Sequence, residues 1–550
     1  MTEGGTQRIG ASWLRRVGPG EGILLTRLEG SPYEVGLAAG RLQRRQIAEG
    51  EAHLERLFRA LLPSPFGRFL VRTLSAMRLG GVEKEIPAEQ LEAIAGLADG
   101  YEPVPPPSGW DAFRRMVSLH ALHDISQRYV DAPALASACT AFTVPGVPET
   151  KGKAPALLAR NFDFEGGDLF DRDKVVSVVT LPGRIPYLSV SFAGMLGVVS
   201  GFNAKGLGIV INAVSGGETG SSGTPVTLLV ADVLAKESTV EGALARIREA
   251  KVFVSDLFVV LDGKSGEAVV VEKTPGATGV RRAAPGTPLG ATNEVETKGA
   301  SGRGRPLPPG STSRRRRERL EELLARLAGR PRGTGADVAE AEAVAILRDR
   351  TGASGASGAD LGPGNRNAID AMIQTHSVVF DLSARRAWVS VSPHALGAYV
   401  PIDLDVVLAD SEGRGEPSPR APIPADPYLV SGAWDRYRAA RELLLEARVR
   451  EERKDVGWPS AARADLEKAH ALSPDWAEGA AHLGRLRALD GDRAGAIAAL
   501  DEALARDLGP RPLREATSRL REELVPGGVP DRIAPLPFAP TPDELIGKSR

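Results

Sequence analysis

The chain has 550 residues, is 42% hydrophobic and 25% charged, and carries a formal net charge of -1 with a pI near 6.7. Those proportions are ordinary for a globular chain with ample core. They give no electrostatic reason to expect nucleic acid or an anionic membrane surface as a partner. One cysteine, Cys139, rules out an internal disulfide. The start, Met1-Thr2-Glu3-Gly4-Gly5, lacks the basic and apolar regions of a signal peptide, and no run approaches about 18 uninterrupted apolar residues. The expectation is a cytoplasmic protein with no membrane span.

In chain order, residues 22–29 read as a strand. Ser31-Pro32-Tyr33-Glu34 then has the form of a capping box, with Ser at the N-cap and Glu three positions on. Val35, Leu37, Ala38, Leu42 and Ile47 follow at helical spacing, and Gly36 and Gly40 share a face suited to close packing. Further helices are expected over about 50–78, 88–99 and 110–130, with Pro103, Pro105, Pro106 and Pro107 breaking the third. The first 130 residues therefore read as mostly helical.

The texture changes at Cys139. Cys139–Val144, Ala156–Asp163, Lys174–Leu181, Tyr187–Phe192, Leu196–Gly201 and Leu207–Asn212 are short, β-prone runs separated by turn residues. Helical pattern returns at about 225–249. Asp256–Leu261 and Ala268–Glu272 form a hairpin, and Leu289–Thr292 reads as a buried strand end. Ser311–Ala328 and Ala336–Arg348 read as helices, Thr351–Gly364 as a mobile Gly/Ser/Ala loop, and His376–Asp381 with Ala387–Val391 as a last hairpin. Sheets covered by helices and mostly antiparallel are the expected class, α+β.

After Asp405 the composition shifts again. Residues 406–427 read as a linker rich in Pro, Gly and charge. Residues 428–525 read as helices, with His482–Leu486, Gly491-Asp492 and Ala496–Leu500 spaced like one tetratricopeptide unit after the junction Pro474-Asp475-Trp476. Fewer than three repeats would not normally stand alone, so this segment is expected to dock on the main domain and to offer a surface to a protein partner. Residues 526–550 read as a loosely ordered Pro-rich tail. The divisions are thus 1–138, 139–405, 406–427, 428–525 and 526–550.

Cys139 is the residue on which a function can be built. A lone cysteine can be a small buried hydrophobe. This one follows Ala134-Leu135-Ala136-Ser137-Ala138 and opens a strand at a helix-to-sheet boundary. A thiol with a free pKa near 8.5 needs a base to react at neutral pH. His120, His123, His376 and His394 are candidates, but none lies in a local signature of a Cys–His hydrolase. The alternative base is the nucleophile's own α-amine, freed by a cut just before it and titrating near 7.7–8.0.

At this point the sequence resembles a family. Cys139-Thr140-Ala141, Arg160-Asn161-Phe162-Asp163, Gly201–Gly208 ending in Ile211-Asn212, Ala291-Thr292-Asn293, the opening Gly30–Gly36 and Gln374–Asp381 are similar to the N-terminal-nucleophile hydrolases. The resemblance is greatest to the isopenicillin N acyltransferase-like autoproteolytic enzymes, with choloylglycine hydrolases and acid ceramidase-like amidases more distant. It covers about residues 22–405. It implies a four-layer αββα sandwich, carrying here an N-terminal helical segment and a C-terminal all-α appendage. It implies self-cleavage between Ala138 and Cys139, with Cys139 as nucleophile and its freed amine as base. Arg160 and Asp163 would hold sulfur and amine, Asn212 and Asn293 would serve the oxyanion, and Arg316, in Ser313-x-x-Arg316-x-x-Arg319, would have a structural or substrate-carboxylate role. The substrate would be a small acyl-amide or acyl donor, with no cofactor or metal.

Bland readings stand beside these. Arg160 and Asp163 could be a surface ion pair, Asn212 and Asn293 turn residues, and Arg314–Arg317 a solvated helix face. Two other functional classes also remain open: a non-enzymatic hydrolase-like scaffold with a helical adaptor, and a conventional Cys–His hydrolase.

Overall fold

A computed structural model describes residues 5–68, 71, 81–101, 110–124, 138–146, 155–214, 217–220, 222–300, 311–328, 336–354, 358–454, 456–525 and 533–548. Parts of several expectations lie outside the described residues: the end of the second and fourth helical patterns, the proline cluster 103–107, residues 134–137 and the start of the tail.

Two sheets lie face to face. The first runs β1 (Gln7–Ile9), β2 (Ser12–Val17), β3 (Ile23–Glu29), β6 (Lys174–Thr180), β7 (Tyr187–Phe192), β8 (Ser200–Asn203), β9 (Leu207–Ala213), β10 (Asp256–Asp262), β11 (Ala268–Lys273) and β12 (Thr278–Arg282). The second runs β13 (Leu289–Ala291), β4 (Thr140–Val144), β5 (Leu157–Phe162), β14 (His376–Asp381), β15 (Arg386–Ser390) and β16 (Tyr399–Asp403). Neighbours are antiparallel except β3 and β6, which run parallel.

Alternation along a strand decides which layer each side chain joins. In β10, Leu257, Val259 and Leu261 fill the space between the sheets with Leu25, Leu158, Val210 and Phe380. Phe258 and Val260 point the other way, onto the helices. Both faces are covered, which is why such strands read as unbroken apolar runs. The outer face of the first sheet is covered by α1 (Pro32–Leu42), α3 (Ala88–Tyr101), α6 (Val226–Lys236) and α7 (Val240–Glu249), through residues such as Ala39, Leu97, Val230 and Leu244. α2 (Arg44–Leu61), α4 (Ala112–His120) and the short α5 (Asp168–Arg172) complete that side. The second sheet is covered by α8 (Thr312–Ala328) and α9 (Ala336–Leu347), through Leu320, Leu324 and Leu347 against Phe142, Ala159 and Val379. The layering is αββα, as expected.

The capping box forms as the sequence predicts. Glu34 N–H donates to Ser31 Oγ at 3.3 Å and Ser31 N–H to the Glu34 carboxylate at 2.8 Å. Gly36 and Gly40 face α3 so closely that a Cβ on Gly36 would lie 1.9 Å from the Ala93 carbonyl oxygen. Gly96 and Gly100 reciprocate against Tyr33 and Leu37. Backbone cannot yield cheaply, so Gly36→Ala is expected to cost about 1–3 kcal/mol, outweighing alanine's better helix propensity, as read by chemical denaturation.

Several expectations are corrected. The N-terminal segment supplies β1 and β2, which the sequence reading lacks, as well as the expected β3, to the larger sheet. A boundary at residue 138 therefore cuts the chain but not the fold. The helices expected over 225–249 are α6 and α7, with Thr239 capping the second through the Gly242 N–H. β12 and β16 were not read from the sequence, and the strand expected at Leu196–Gly201 lies at Ser200–Asn203. Residues 406–427 begin within α10 (Leu404–Ala409) and then hold to β16, Asp403 N–H donating to the Pro417 carbonyl and Ile423 bridging Tyr399.

The C-terminal helices are α11 (Pro427–Val430), α12 (Ala433–Arg453), α13 (Trp458–Leu472), α14 (Ala477–Leu489), α15 (Arg493–Ala505), α16 (Arg511–Leu524) and α17 (Pro542–Lys548). They pack on the sandwich: Trp434, Tyr437 and Trp476 share a core with Met372 and Leu396. The described part of the Gly-rich loop is the seam rather than a free excursion. A Cβ on Gly362 would meet the Asp475 carbonyl at 1.9 Å, and one on Gly364 the Tyr437 hydroxyl at 2.1 Å. The tail is also anchored, Glu544 pairing with Arg441 at 2.8 Å and the Asp543 carboxylate accepting from the Asp168 N–H at 2.7 Å.

Candidate active site

β4 and β5 pair with Thr140 opposite Asn161 and Ala141 opposite Arg160. Continuing that register brings Ala138 to Asp163, where the Ala138 N–H donates to the Asp163 carbonyl at 3.0 Å. The Ala138–Cys139 bond is thus pinned at the end of the sheet beside Asp163.

Alternation along β5 separates its polar side chains. Asn161 faces the α8–α9 layer and donates to the carbonyls of Leu347 and Ile369 at 2.8 and 3.0 Å. Arg160 faces the opposite sheet, fully buried. Its Nη1 donates to the Val199 carbonyl at 2.8 Å and Ser200 Oγ at 2.7 Å, and its Nη2 donates to the Ile211 carbonyl and to Cys139 Sγ at 3.4 Å. Its guanidinium carbon lies 4.3 Å from the centre of the Phe162 ring, a favourable cation–π distance. Arg160 is therefore not a surface residue, and its fork is fixed by the Val199 and Ile211 carbonyls and the Ser200 hydroxyl before it reaches the sulfur.

Cys139 is fully buried. Burial pushes its thiol pKa up, the Arg160 guanidinium pulls it down, and the Asp163 carboxylate pushes it up again. Asp163 is also fully buried, and neither carboxylate oxygen has a hydrogen-bond partner among the described residues. Burial raises its pKa to about 7, against the opposing pull of Arg316 and Arg366. A sealed carboxyl with no donor is costly unless something completes it.

Asn212 on β9 donates through Nδ2 to the Thr292 and Ala291 carbonyls at 3.0 and 3.3 Å, while Asn293 Nδ2 donates to the Ala213 carbonyl at 2.8 Å. Each asparagine thus crosses to the other sheet and ties the ends of β9 and β13 together. Arg316 lies one turn along α8 from Ser313, which accepts from the Asn293 N–H at 3.0 Å. Arg316 Nη1 donates to the Cys139 carbonyl at 2.6 Å and Thr140 Oγ1 at 2.9 Å, and Nη2 to Asn293 Oδ1 at 2.9 Å. Only 1% of Arg316 is exposed. It holds the Cys139 main chain from behind, a placement that suits the structural one of the two roles the resemblance implies for it. Its neighbours Arg314, Arg315 and Arg317 pair with Glu294, Glu318 and Glu296, so three of that run are surface residues and one is core.

None of the four candidate histidines has Cys139 as its hydrogen-bond partner among the described residues. His376 Nε2 lies 2.9 Å from Ser200 Oγ, and burial holds its pKa well below the usual histidine range. His120 bonds the Met116 carbonyl and the Leu196 N–H, its pKa pushed down to about 4 by burial. His123 bonds Asp256 at 2.9 Å and His394 the Gln374 carbonyl at 2.8 Å. Sequence reasoning missed Ser200, Thr140 and Thr292 as parts of this constellation. Small hydroxyls in strands carry no local signal, because what they do is set by the facing sheet.

Residues 149–394 match the family model described as acyl-coenzyme A:6-aminopenicillanic acid acyl-transferase. The match includes Arg160, Asp163, Asn212, Asn293 and Arg316, begins after Cys139 and stops before the C-terminal helices. An uncharacterized protein of Archaeoglobus fulgidus is 26% identical over 271 residues, 45% of this chain and 42% of its own length. The chain thus spans about two fifths of that curated relative. Among solved structures, a Caenorhabditis elegans ortholog of N-acylethanolamine-hydrolyzing acid amidase aligns at 16% identity and TM-score 0.31, over 44% of this chain and 93% of its own. Conjugated bile acid hydrolase from Clostridium perfringens aligns at 14% identity and TM-score 0.27, over 50% and 95%. Residues 149–394, a little under half of the chain, are thus similar to the acyl-coenzyme A:6-aminopenicillanic acid acyl-transferase family.

Proposed function

We propose that this chain is a self-processing cysteine amidohydrolase or acyltransferase acting on a small acyl-amide or acyl donor. The observation that carries the reading is the buried carboxylate of Asp163, without a hydrogen-bond partner among the described residues, beside the Ala138–Cys139 bond. An α-ammonium freed at Cys139 supplies the donors this carboxylate lacks.

In the first reaction the Cys139 thiol loses its proton and Sγ attacks the Ala138 carbonyl carbon. The C–N bond to Cys139 breaks, the nitrogen takes up a proton, and water hydrolyses the resulting thioester. The products are a carboxylate on Ala138 and a free α-amine on Cys139. In the second reaction that amine takes the thiol proton, and the thiolate, steadied by Arg160, attacks the substrate carbonyl. The amine returns the proton to the leaving group, and water or an acceptor amine then takes the acyl group from sulfur. Asn293 retains one amide N–H beyond its bond to Ala213 and is the candidate oxyanion donor, a contribution of about 3–4 kcal/mol in comparable sites. Asn212 and Arg316 hold the surrounding backbone. The strands contributed by residues before 139 keep both products in one fold.

The test is the intact mass of freshly purified protein with N-terminal sequencing. The expected result is two chains, residues 1–138 and 139–550, the larger beginning Cys139-Thr140-Ala141. One chain of 58.0 kDa with an unmodified thiol overturns the reading and favours the scaffold.

A further inference from the structure

The stretch before α17 is held by the appended helices in a way its composition explains. Residues 533–541 are neither helix nor strand, and Pro535, Pro537 and Pro540 recur through them. Proline fixes its own φ, removes its N–H and pushes the residue before it into extended backbone. Such a segment is straight before it binds and offers mainly carbonyls. Two carbonyls that precede a proline are met by arginines: Arg485 Nε of α14 donates to Ala534 at 2.7 Å, and Arg448 Nη1 of α12 to Leu536 at 3.4 Å. The Leu536 side chain is buried against Ala477, Ala480 and Ala481 of α14. Arg441 lies two turns before Arg448 and so shares its face of α12. The Phe538 ring lies 4.9 Å from the Arg448 guanidinium and 5.8 Å from that of Arg441, with the His482 ring edge-on at 6.1 Å. Two of these arginines are also steadied without the tail, Arg441 by Glu478 at 3.3 Å and Arg485 by Glu451 at 2.6 Å. The helices thus form a groove for an extended Pro-x-Pro-aromatic segment, and the chain fills it with its own.

The same tail walls a cavity. Thr541 and Glu544 form a capping box that starts α17, the Thr541 N–H donating to the Glu544 carboxylate at 2.7 Å and the Glu544 N–H to Thr541 Oγ1 at 3.4 Å. Residues 541–544 are part of the wall of a cavity of about 150 Å³, which Trp434 and Tyr437 of α12 and Phe164, the residue after Asp163, also line. α17 is held there from two sides. The Asp543 carboxylate accepts from the Asp168 N–H of the sandwich at 2.7 Å, and Glu544 accepts from Arg441 Nε and Nη2 at 2.8 and 2.9 Å. Arg441 therefore serves both halves of the tail, the groove through Phe538 and the cavity wall through Glu544. The family match ends at residue 394, so groove and tail both lie beyond it.

We propose that residues 533–548 are a latch. The proline-rich half occupies the groove in place of an extended Pro-x-Pro-aromatic segment of a partner protein, and in doing so keeps α17 against the cavity beside Asp163. A partner segment that takes the groove displaces Phe538 from between Arg441 and Arg448, and α17 then loses its tether on that side. Groove and cavity wall are coupled because one continuous stretch of chain, and one arginine, belong to both. The proposal does not depend on the chemistry at Cys139.

The test uses the full-length protein and a dye-labelled synthetic peptide of residues 533–541. The tail competes in cis at high effective concentration, so the native protein is expected to bind the peptide weakly. Phe538→Ala in the protein weakens that competitor and is expected to tighten peptide binding at least about tenfold, read by fluorescence polarisation. Adding Arg448→Ala or Arg485→Ala, in the groove itself, should reverse the gain. Hydrogen exchange reads the other half: Phe538→Ala, which lies outside α17, should speed exchange of the α17 amides at least about tenfold. Native protection of β10 and β14 in the same experiment reports that the variant is folded. Equal binding to native and Phe538→Ala protein, absence of binding to the variant at millimolar concentration, a gain indifferent to both groove substitutions, or α17 exchange unchanged by Phe538→Ala overturns the proposal.

Discussion

Cys139→Ala is expected to remain one chain of 58.0 kDa and to lose acyl-amide turnover by at least about 10⁴-fold. The magnitude follows from what is removed. Arg160, Arg316 and the two asparagines stay in place, so binding and electrostatic positioning survive, but no atom remains to form the acyl intermediate. Arg160 holds its guanidinium through Val199, Ser200 and Ile211 irrespective of the sulfur, so the fold should tolerate the change. Mass spectrometry reads the first effect and release of an amine from an acyl-amide reads the second. A Cys139→Ala chain that still cuts itself, or retains turnover, removes the cysteine from the mechanism. A conventional Cys–His hydrolase would instead lose activity in His376→Ala without any chain cleavage in the parent. The bond of His376 to Ser200 and its neutral, buried state argue for a packing role.

Asp163→Asn should act in opposite directions before and after cleavage. In the uncut chain the Asp163 carboxyl is raised to about 7 by burial. A carboxyl whose folded pKa is raised holds its proton more tightly folded than unfolded. Below about pH 4 both states are protonated and no penalty arises; as pH rises through 7 stability is lost, the full penalty being about 4 kcal/mol. In a Cys139→Ala background, Asp163→Asn should therefore match its parent near pH 4 and exceed it by up to about 4 kcal/mol above pH 7. Urea denaturation at the two pH values measures this. In the native background the same substitution should block or slow processing and cut turnover by about 10²-fold or more, because the freed ammonium loses its counter-charge. A substitution that destabilises the uncut chain at high pH would show that the carboxylate already has a partner there.

The sequence determined a good deal by itself. Short-range features were legible because their physics is local: the Ser31–Glu34 box, the hairpin of β10 and β11, and the glycines that let α1 approach α3 each depend on spacing over a few residues. The unbroken apolar strands implied a sheet covered on both sides. The ordered set from Cys139 to Arg316 pointed to one constellation, and the register of β4 on β5 brings Cys139, Arg160 and Asp163 together.

What only the tertiary structure decided depends on contacts between distant segments. Of the N-terminal strands only β3 is legible in the sequence; β1 and β2 are short and are completed by pairing with each other and with β3. Arg316 is set apart from the other arginines of its run only by the resemblance, and it is the position of α8 over β4 and β13 that buries it beneath Cys139. Thr351–Gly364 looked like a free loop because glycine signals freedom and close approach alike; at Gly362 and Gly364 it is the nearness of α12 and the Asp475 backbone that selects the second meaning. The C-terminal helices have an internal periodicity, so the sequence implies that they dock on the main domain without saying where. That they close a cavity beside Asp163 follows from packing against Met372 and Leu396, which no pattern in either segment encodes.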